Sequence, residues 1–242
     1  MPGAPVSIGG VTAISAHRGG GEAFAPETYE AYDHAAATGA DYVEFDVRRL
    51  VDGTLVCFHD AACGAPLATL SHAELCRRAG YEVPTVRRLL ALIAGRTWGH
   101  IDLKEIGYEA EVVALAREVL GPDNFLVTSM VDGSLRRIAD AFPGTATGLS
   151  LGRGIGDVPA YRLPGAIIGD LFPIGRLRAC GATWAAISKD LAPWVLSRCH
   201  RNDIRTAVWT VDRSDQLDRF LADDRVDVLV TNRPGFALAR RR

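Results

Sequence analysis

Short apolar runs alternate with helical patterns from one end of this chain to the other, and few folds accommodate that order. The spacing predicts strands over 11–16, 42–47, 100–104, 125–129, 146–151, 183–187, 206–211 and 227–231. It predicts helices over 27–38, 85–94, 108–120, 133–141, 191–201, 214–222 and 234–240. The helix at 108–120 shows the pattern well: Val112, Val113, Leu115, Ala116 and Val119 form one stripe, and Gly121-Pro122 stops it. Strand–helix alternation points to parallel strands joined by helical crossovers. Eight such units in 242 residues predict an α/β fold, a (β/α)8 TIM barrel forming a single domain over 1–242. An open, doubly wound sheet is the competing arrangement.

One segment breaks the alternation. Asp52-Gly53 between two apolar runs is a hairpin signal, and too few residues separate the runs for a parallel crossover. The stretch 54–59 is therefore expected as an extra antiparallel strand, and a turn centred on Asp52-Gly53 places His59 opposite Asp46. In that reading, a one-residue slip turns His59 away. Residues 60–84, with little periodicity, read as a short insertion beside the hairpin. The Gly- and Pro-rich stretch 152–181 reads as a long loop with a helical turn or two, and Arg240-Arg241-Arg242 as a solvated tail.

Composition narrows the function classes. With 48% hydrophobic and 23% charged residues, the chain has an ordinary globular make-up. A net charge of −2 does not suit a nucleic-acid binder, so any phosphate recognition must come from local Arg and Lys. No apolar run approaches the ~20 residues of a membrane span. Met1-Pro2-Gly3-Ala4-Pro5 lacks the start of a signal peptide. Five cysteines, an odd number without CxxC spacing, read as free thiols in a reducing, cytoplasmic setting. The oligomeric state is left open.

The chemistry lies on the strands. Residues 42–48 read Tyr-Val-Glu-Phe-Asp-Val-Arg and residues 100–104 read His-Ile-Asp-Leu-Lys. Side chains alternate across a strand, so Glu44 and Asp46 share one face, and Asp102 and Lys104 share another. Buried carboxylates are costly unless paired or bound to a cation. At the C-terminal mouth of a barrel, Glu44, Asp46 and Asp102 form an all-oxygen set suited to one divalent cation, Mg²⁺ or Ca²⁺. His17 and His59 are the acid/base candidates, and Arg18 and Lys104 add positive charge for a phosphate. Lys104 also has the option of pairing with Asp102. Glu27 and Trp209 are candidates for substrate contact, against plain roles as a first-turn helix residue and a core residue. Gly19-Gly20-Gly21 either offers N–H groups to a phosphate or forms a loose loop. The set reads as phosphodiester cleavage of a small-molecule substrate.

These residues resemble the glycerophosphodiester phosphodiesterase family. His17-Arg18-Gly19 is similar to its HRG opening, and Pro26-Glu27-Thr28-Tyr29 to its PENT motif. Gly39 to Val47 is similar to GAD-x-I-E-x-D-V, and Asp52-Gly53 through His59-Asp60 to DG-x-x-V-x-HD. Weaker echoes follow at Pro84-Thr85, Asp102-Leu103-Lys104, Thr128-Ser129, Trp209-Thr210-Val211 and Thr231-Asn232-Arg233-Pro234. The resemblance implies a barrel in which His17 and His59 are the acid/base pair, Glu44, Asp46 and Asp102 bind the ion, and Arg18 and Lys104 contact phosphate. It implies release of glycerol 3-phosphate and an alcohol. Related sphingomyelinase D-like or lysophospholipase D-like enzymes point to an alternative, a lyase forming a cyclic phosphate. A specialised biosynthetic phosphodiesterase and a catalytically silent barrel binding a phosphate ligand are further alternatives. Four positions depart from the family pattern: Thr28 for Asn, Asn232 for Asp, Asp212 for Asn, and Asp102 for Glu.

Overall fold

The computed structural model describes residues 11–152 and 163–241. The readings of Met1 to Pro5, of the loop over 153–162 and of Arg242 lie outside them. Eight parallel strands form the wall: β1 (Ala13–Ala16), β2 (Tyr42–Arg49), β4 (Trp98–Leu103), β5 (Phe125–Ser129), β6 (Thr147–Leu151), β7 (Trp184–Ser188), β8 (Arg205–Trp209) and β9 (Val228–Thr231). β1 pairs in parallel with both β9 and β2, which closes the barrel and excludes an open sheet. β3 (Leu55–Cys57) is the added strand, antiparallel on β2.

The strand alternation decides what fills each side. Val43, Phe45, Val47, Ile101 and Leu103 face outward, against Leu89, Leu90 and Ile93 of α3 (Val86–Ile93) and Val112, Val113 and Ala116 of α4 (Glu109–Leu120). Full burial of such side chains contributes about 1.5–3 kcal/mol each. Inside, Ala13, Tyr42, Leu126, Trp184, Ala207 and Val228 fill the end where the strands begin. The polar inward positions, Glu44, Asp46, His100 and Asp102, follow further along the same strands. The register sets Glu44 beside His100, Asp46 beside Asp102, and Asp102 beside Thr128.

Four expectations need correction. The hairpin pairs Val47 with Cys57 and Arg49 with Leu55, so Phe58, not His59, lies opposite Asp46, and its N–H donates to Asp46 O at 3.0 Å. The turn is one residue longer than a two-residue hairpin: Leu50 N–H donates to Thr54 O at 2.9 Å, and Gly53 adopts φ 83°. Residues 60–84 are not featureless. They contain α2 (His72–Ala79), capped by Ser71, whose Oγ accepts from Glu74 N–H at 3.3 Å, and stopped by Gly80 in the left-handed conformation. Leu75 of α2 packs on Leu50, Val56, Phe58, Leu67, Leu70 and Val83 as a small core beside the hairpin.

The stretch 152–181 contains two helices, α6 (Leu163–Leu171) and α7 (Ile174–Cys180). Gly165 and Gly175 have open space where a Cβ would project and normal backbone angles, so neither works as a breaker. Finally, Arg240 and Arg241 are not a free tail. Arg240, at the end of α10 (Pro234–Arg240), pairs with Asp218, and Arg241 pairs with Asp41, which also accepts Ile14 N–H at 2.7 Å.

Candidate active site

At the end of β1 the chain makes a single tight helical turn over His17–Gly19. Arg18 sits at φ 52° and Gly19 at φ 80°. A Cβ on Gly19 would lie 2.9 Å from the Ala31 backbone and the Tyr32 ring, so only glycine lets this turn press against α1 (Tyr29–Ala37). The turn aims Arg18 N–H at Glu44 Oε2, 2.8 Å away. It also engages the neighbouring amides: Gly20 N–H donates to His17 O at 2.8 Å, and Gly21 N–H to Asn232 O at 2.7 Å. These two N–H groups are therefore not available to cradle a phosphate. Thr28 caps α1 through Ala31 N–H at 3.2 Å, a task Asn and Thr share, so that departure is structurally neutral.

Three carboxylates and two cations meet above the apolar floor. Lys104 Nζ lies 2.7 Å from Asp46 Oδ1 and 2.7 Å from Asp102 Oδ2. Thr128 Oγ1 donates to Asp102 Oδ1 at 2.6 Å. Arg18 Nε stands 3.1 Å from Asp46 Oδ2 without the alignment of a hydrogen bond, which leaves that buried oxygen unpartnered. Burial, then the charges of Asp46 and Asp102, raise the Glu44 carboxyl well above its ordinary value. Burial alone would raise Asp46 too, but Lys104 and Arg18 outweigh it and hold Asp46 low. Burial disfavours the Lys104 ammonium, yet Asp102 and Asp46 hold its proton more tightly than usual. As the side chains stand, no three His, Cys, Asp or Glu groups among the described residues are close enough to hold an ion.

The imidazoles differ. His17 lies under partial cover, with Nδ1 2.8 Å from Asn232 Oδ1. Burial holds it below the ordinary value of 6.5, against the opposing hydrogen bond to Asn232. His59 is more exposed, with Nδ1 2.8 Å from Asp60 Oδ1. It reaches the site despite the shifted register because β3 ends at Cys57: Phe58 turns into the α2 cluster, and His59 O accepts from Arg48 Nε at 2.9 Å. His100, which the sequence puts on the face of Asp102 but lower in the barrel and without motif support, is buried beneath them between Ser15 Oγ (3.1 Å) and Thr128 Oγ1 (3.2 Å), and burial pushes it down to about 4. Its signal in the sequence is its place two residues before Asp102.

Eight of the nine residues singled out by sequence line one cavity of about 190 Å³ at this mouth: His17, Arg18, Glu44, Asp46, His59, Asp102, Lys104 and Trp209. Thr128, Met130, Ser150 and Thr210 line it as well. The Trp209 Nε1 is buried with no hydrogen-bond partner. Glu27 is not on the cavity wall. It stands behind Arg18, with Oε1 3.5 Å from Nη1, and burial pushes its carboxyl up to about 7. A larger cleft of about 350 Å³ lies where the strands begin, beside Asp41, Arg96 and Trp98, and gathers no comparable set. Arg96 there is bound to Asp33, and Asp41 to Arg241.

Comparison with known proteins finds the same barrel fold. Residues 17–87 match the model of the glycerophosphoryl diester phosphodiesterase family. A glycerophosphodiester phosphodiesterase of Caldanaerobacter subterraneus subsp. tengcongensis is 23% identical, the match covering 92% of this chain and 95% of that one. Among solved structures, a glycerophosphodiester phosphodiesterase from Parabacteroides distasonis superposes with a TM-score of 0.74 at 19% identity, over 94% of this chain and 95% of that one. An Oleispira antarctica phosphodiesterase, in complex with the product sn-glycerol-3-phosphate, also gives 0.74 at 19% identity, over 95% and 96%. The two structures share the barrel, and over residues 17–87, from His17 through Glu44, Asp46 and His59, the chain is similar to the glycerophosphoryl diester phosphodiesterase family.

Proposed function

We propose that the protein hydrolyses a glycerophosphodiester to glycerol 3-phosphate and a free alcohol, with His17 as general base and His59 as general acid. One observation carries the reading: the imidazoles of His17, His59 and the deeper His100, two cations and three carboxylates face a single cavity at the C-terminal mouth of the barrel. His17 is held neutral by burial, and its Nδ1 is occupied by Asn232, which leaves Nε2 to accept a proton from the attacking water. As the bond from phosphorus to the alcohol oxygen breaks, His59 donates a proton to that oxygen, with its Nδ1 steadied by Asp60. Arg18 supplies charge to the phosphoryl oxygens. Trp209 forms part of the cavity wall against the substrate, and Glu27 steadies Arg18 from behind rather than touching substrate.

The donor set fits a divalent cation. It is all oxygen, Asp46 and Asp102 are register neighbours, and Asp46 keeps one buried oxygen without a hydrogen bond. Glu44, Asp46 and Asp102 would hold the ion, Mg²⁺ or Ca²⁺, which supplies Lewis-acid polarisation of a phosphoryl oxygen. Lys104 now bridges two of these carboxylates. Its ammonium, at the same cavity wall as Arg18, is the second positive group placed to face a phosphate.

All five cysteines are free, and Cys57, Cys180 and Cys199 are buried, as suits a thiol-preserving cytoplasm. Among the described residues no helix is long and apolar enough to cross a membrane. The assay is turnover of glycerophosphocholine, glycerophosphoethanolamine and a lysophospholipid, each with Mg²⁺, Ca²⁺ or EDTA. Glycerol 3-phosphate is the expected product, lost with EDTA and regained with metal. A cyclic phosphate in the phosphorus NMR spectrum would replace hydrolysis by the lyase reaction, and inertness toward every phosphodiester would remove the activity altogether.

A further inference from the structure

The ends of β8 and β9 bring a second polar group to His17. Asp212 follows β8, Thr231 ends β9, its neighbour in the barrel, and Asn232 follows β9. Asp212 Oδ1 accepts from the Asn232 backbone N–H at 2.8 Å and from Thr231 Oγ1 at 3.1 Å. Asp212 Oδ2 lies 2.7 Å from the Asn232 side-chain nitrogen Nδ2. On its other side, Asn232 Oδ1 lies 2.8 Å from His17 Nδ1. The two positions that depart from the family pattern near the end of the sequence therefore touch each other, and one of them touches His17.

The polarity of this chain of contacts follows from what each group is able to do. An ionised carboxylate only accepts hydrogen bonds, and Asp212 faces three donors. The Asn232 atom against it must therefore be the NH₂ group. That orientation turns the amide oxygen toward His17, and an amide oxygen also only accepts. His17 Nδ1 must then carry the proton. A neutral imidazole has one N–H, so Nε2 is left with its lone pair. The reversed amide would set oxygen against a carboxylate and NH₂ against the ring, which loses the bond to Asp212. Asn232 thus passes on the orientation that Asp212 imposes without placing a negative charge against the ring.

We infer that Asp212 and Asn232 are positioning residues that lock His17 in its Nδ1–H tautomer and so present Nε2 as the base. The catalytic consequence rests on the proposed role of His17; the tautomer itself does not. The test uses full-length protein carrying ¹⁵N-histidine, with multiple-bond ¹H–¹⁵N correlation at neutral pH, the His17 signals being assigned by their loss in His17→Gln. The wild type is expected to show a protonated Nδ1 and a bare Nε2. The isosteric Asp212→Asn removes the obligatory acceptor, so Asn232 is free to turn and His17 is expected to populate both tautomers. Its kcat is expected to fall roughly 10- to 100-fold, the size seen for groups that orient a histidine, with KM little changed.

The exchange Asp212→Asn with Asn232→Asp sets a carboxylate against Nδ1 and is expected to restore both the tautomer and most of the lost kcat. A wild-type His17 protonated on Nε2, or an Asp212→Asn protein whose tautomer does not change, overturns the inference. Failure of the exchanged pair to recover the tautomer overturns it too. The correct tautomer in a protein with no turnover of any phosphodiester supports the positioning and overturns only the proposed activity.

Discussion

At the scale of single residues, Lys104 carries the clearest consequence. Its ammonium is the counter-charge for Asp46 and Asp102, both largely withdrawn from water. Lys104→Met leaves two buried carboxylates facing each other, and removing one partner of a buried ion pair costs about 3–5 kcal/mol. Urea denaturation of Lys104→Met in EDTA should show a loss of that order. Added Mg²⁺ or Ca²⁺ should recover much of it, because a bound cation replaces the missing charge. An equal loss with and without metal would argue against a cation site between these groups. His17 gives a second prediction. The base must be neutral to act, and burial lowers its pKa, so the acid limb of kcat/KM should fall below the ordinary histidine value of 6.5. A limb above 6.5 would contradict the assignment. Period-two spacing alone exposed Glu44, Asp46, Asp102 and Lys104 as inward groups of β2 and β4 or their ends. It did not expose the partnership of His17 with Asn232, because these residues are 215 positions apart and only barrel closure joins them.

At the scale of elements, the same local rules that made the strands readable explain the misses. All eight parallel strands fall where the apolar runs predict them, since each must bury an outward apolar face against helices. The helix α2 is obscured in the sequence because Gly64, Pro66, Gly80 and Pro84 interrupt the periodicity around its Ser71-x-x-Glu74 start signal. The hairpin slipped by one residue because Asp-Gly fits both a two-residue turn and the longer turn found here; only the pairing of Leu50 with Thr54 separates them. The α2 cluster holds Phe58, and Phe58 precedes His59, so this small core braces one wall of the site. Leu75 is fully buried in it. Leu75→Ala should destabilise the protein by about 2–5 kcal/mol in urea denaturation. Loss of the cap in Ser71→Ala should cost about 1 kcal/mol. Leu75→Ala with unchanged stability would mean that the segment over 60–84 folds independently of the barrel.

At the scale of the whole molecule, closure is the decisive event. β1 pairs with β9 and β2, and that brings the His17 turn, the hairpin and the end of β9 to one rim. The apolar plug of Tyr42, Leu126 and Trp184 fills the opposite end, and among the described residues the polar cavity lies at the C-terminal mouth. Alternation of strands and helices was enough to anticipate this architecture, and the inward faces of β2 and β4 were enough to locate the carboxylates. The proton-handling polarity and the bridging position of Lys104 needed three dimensions. The account stands on His17 as the base for phosphodiester hydrolysis, and the most direct measurement follows glycerophosphocholine by phosphorus NMR with wild-type protein and His17→Ala, both loaded with Mg²⁺ or Ca²⁺ and both checked for folding by circular dichroism. The wild type should release glycerol 3-phosphate, and a folded His17→Ala should be slower by about 10²–10⁴-fold, the usual contribution of a general base. A folded His17→Ala that matches the wild-type rate would contradict the account.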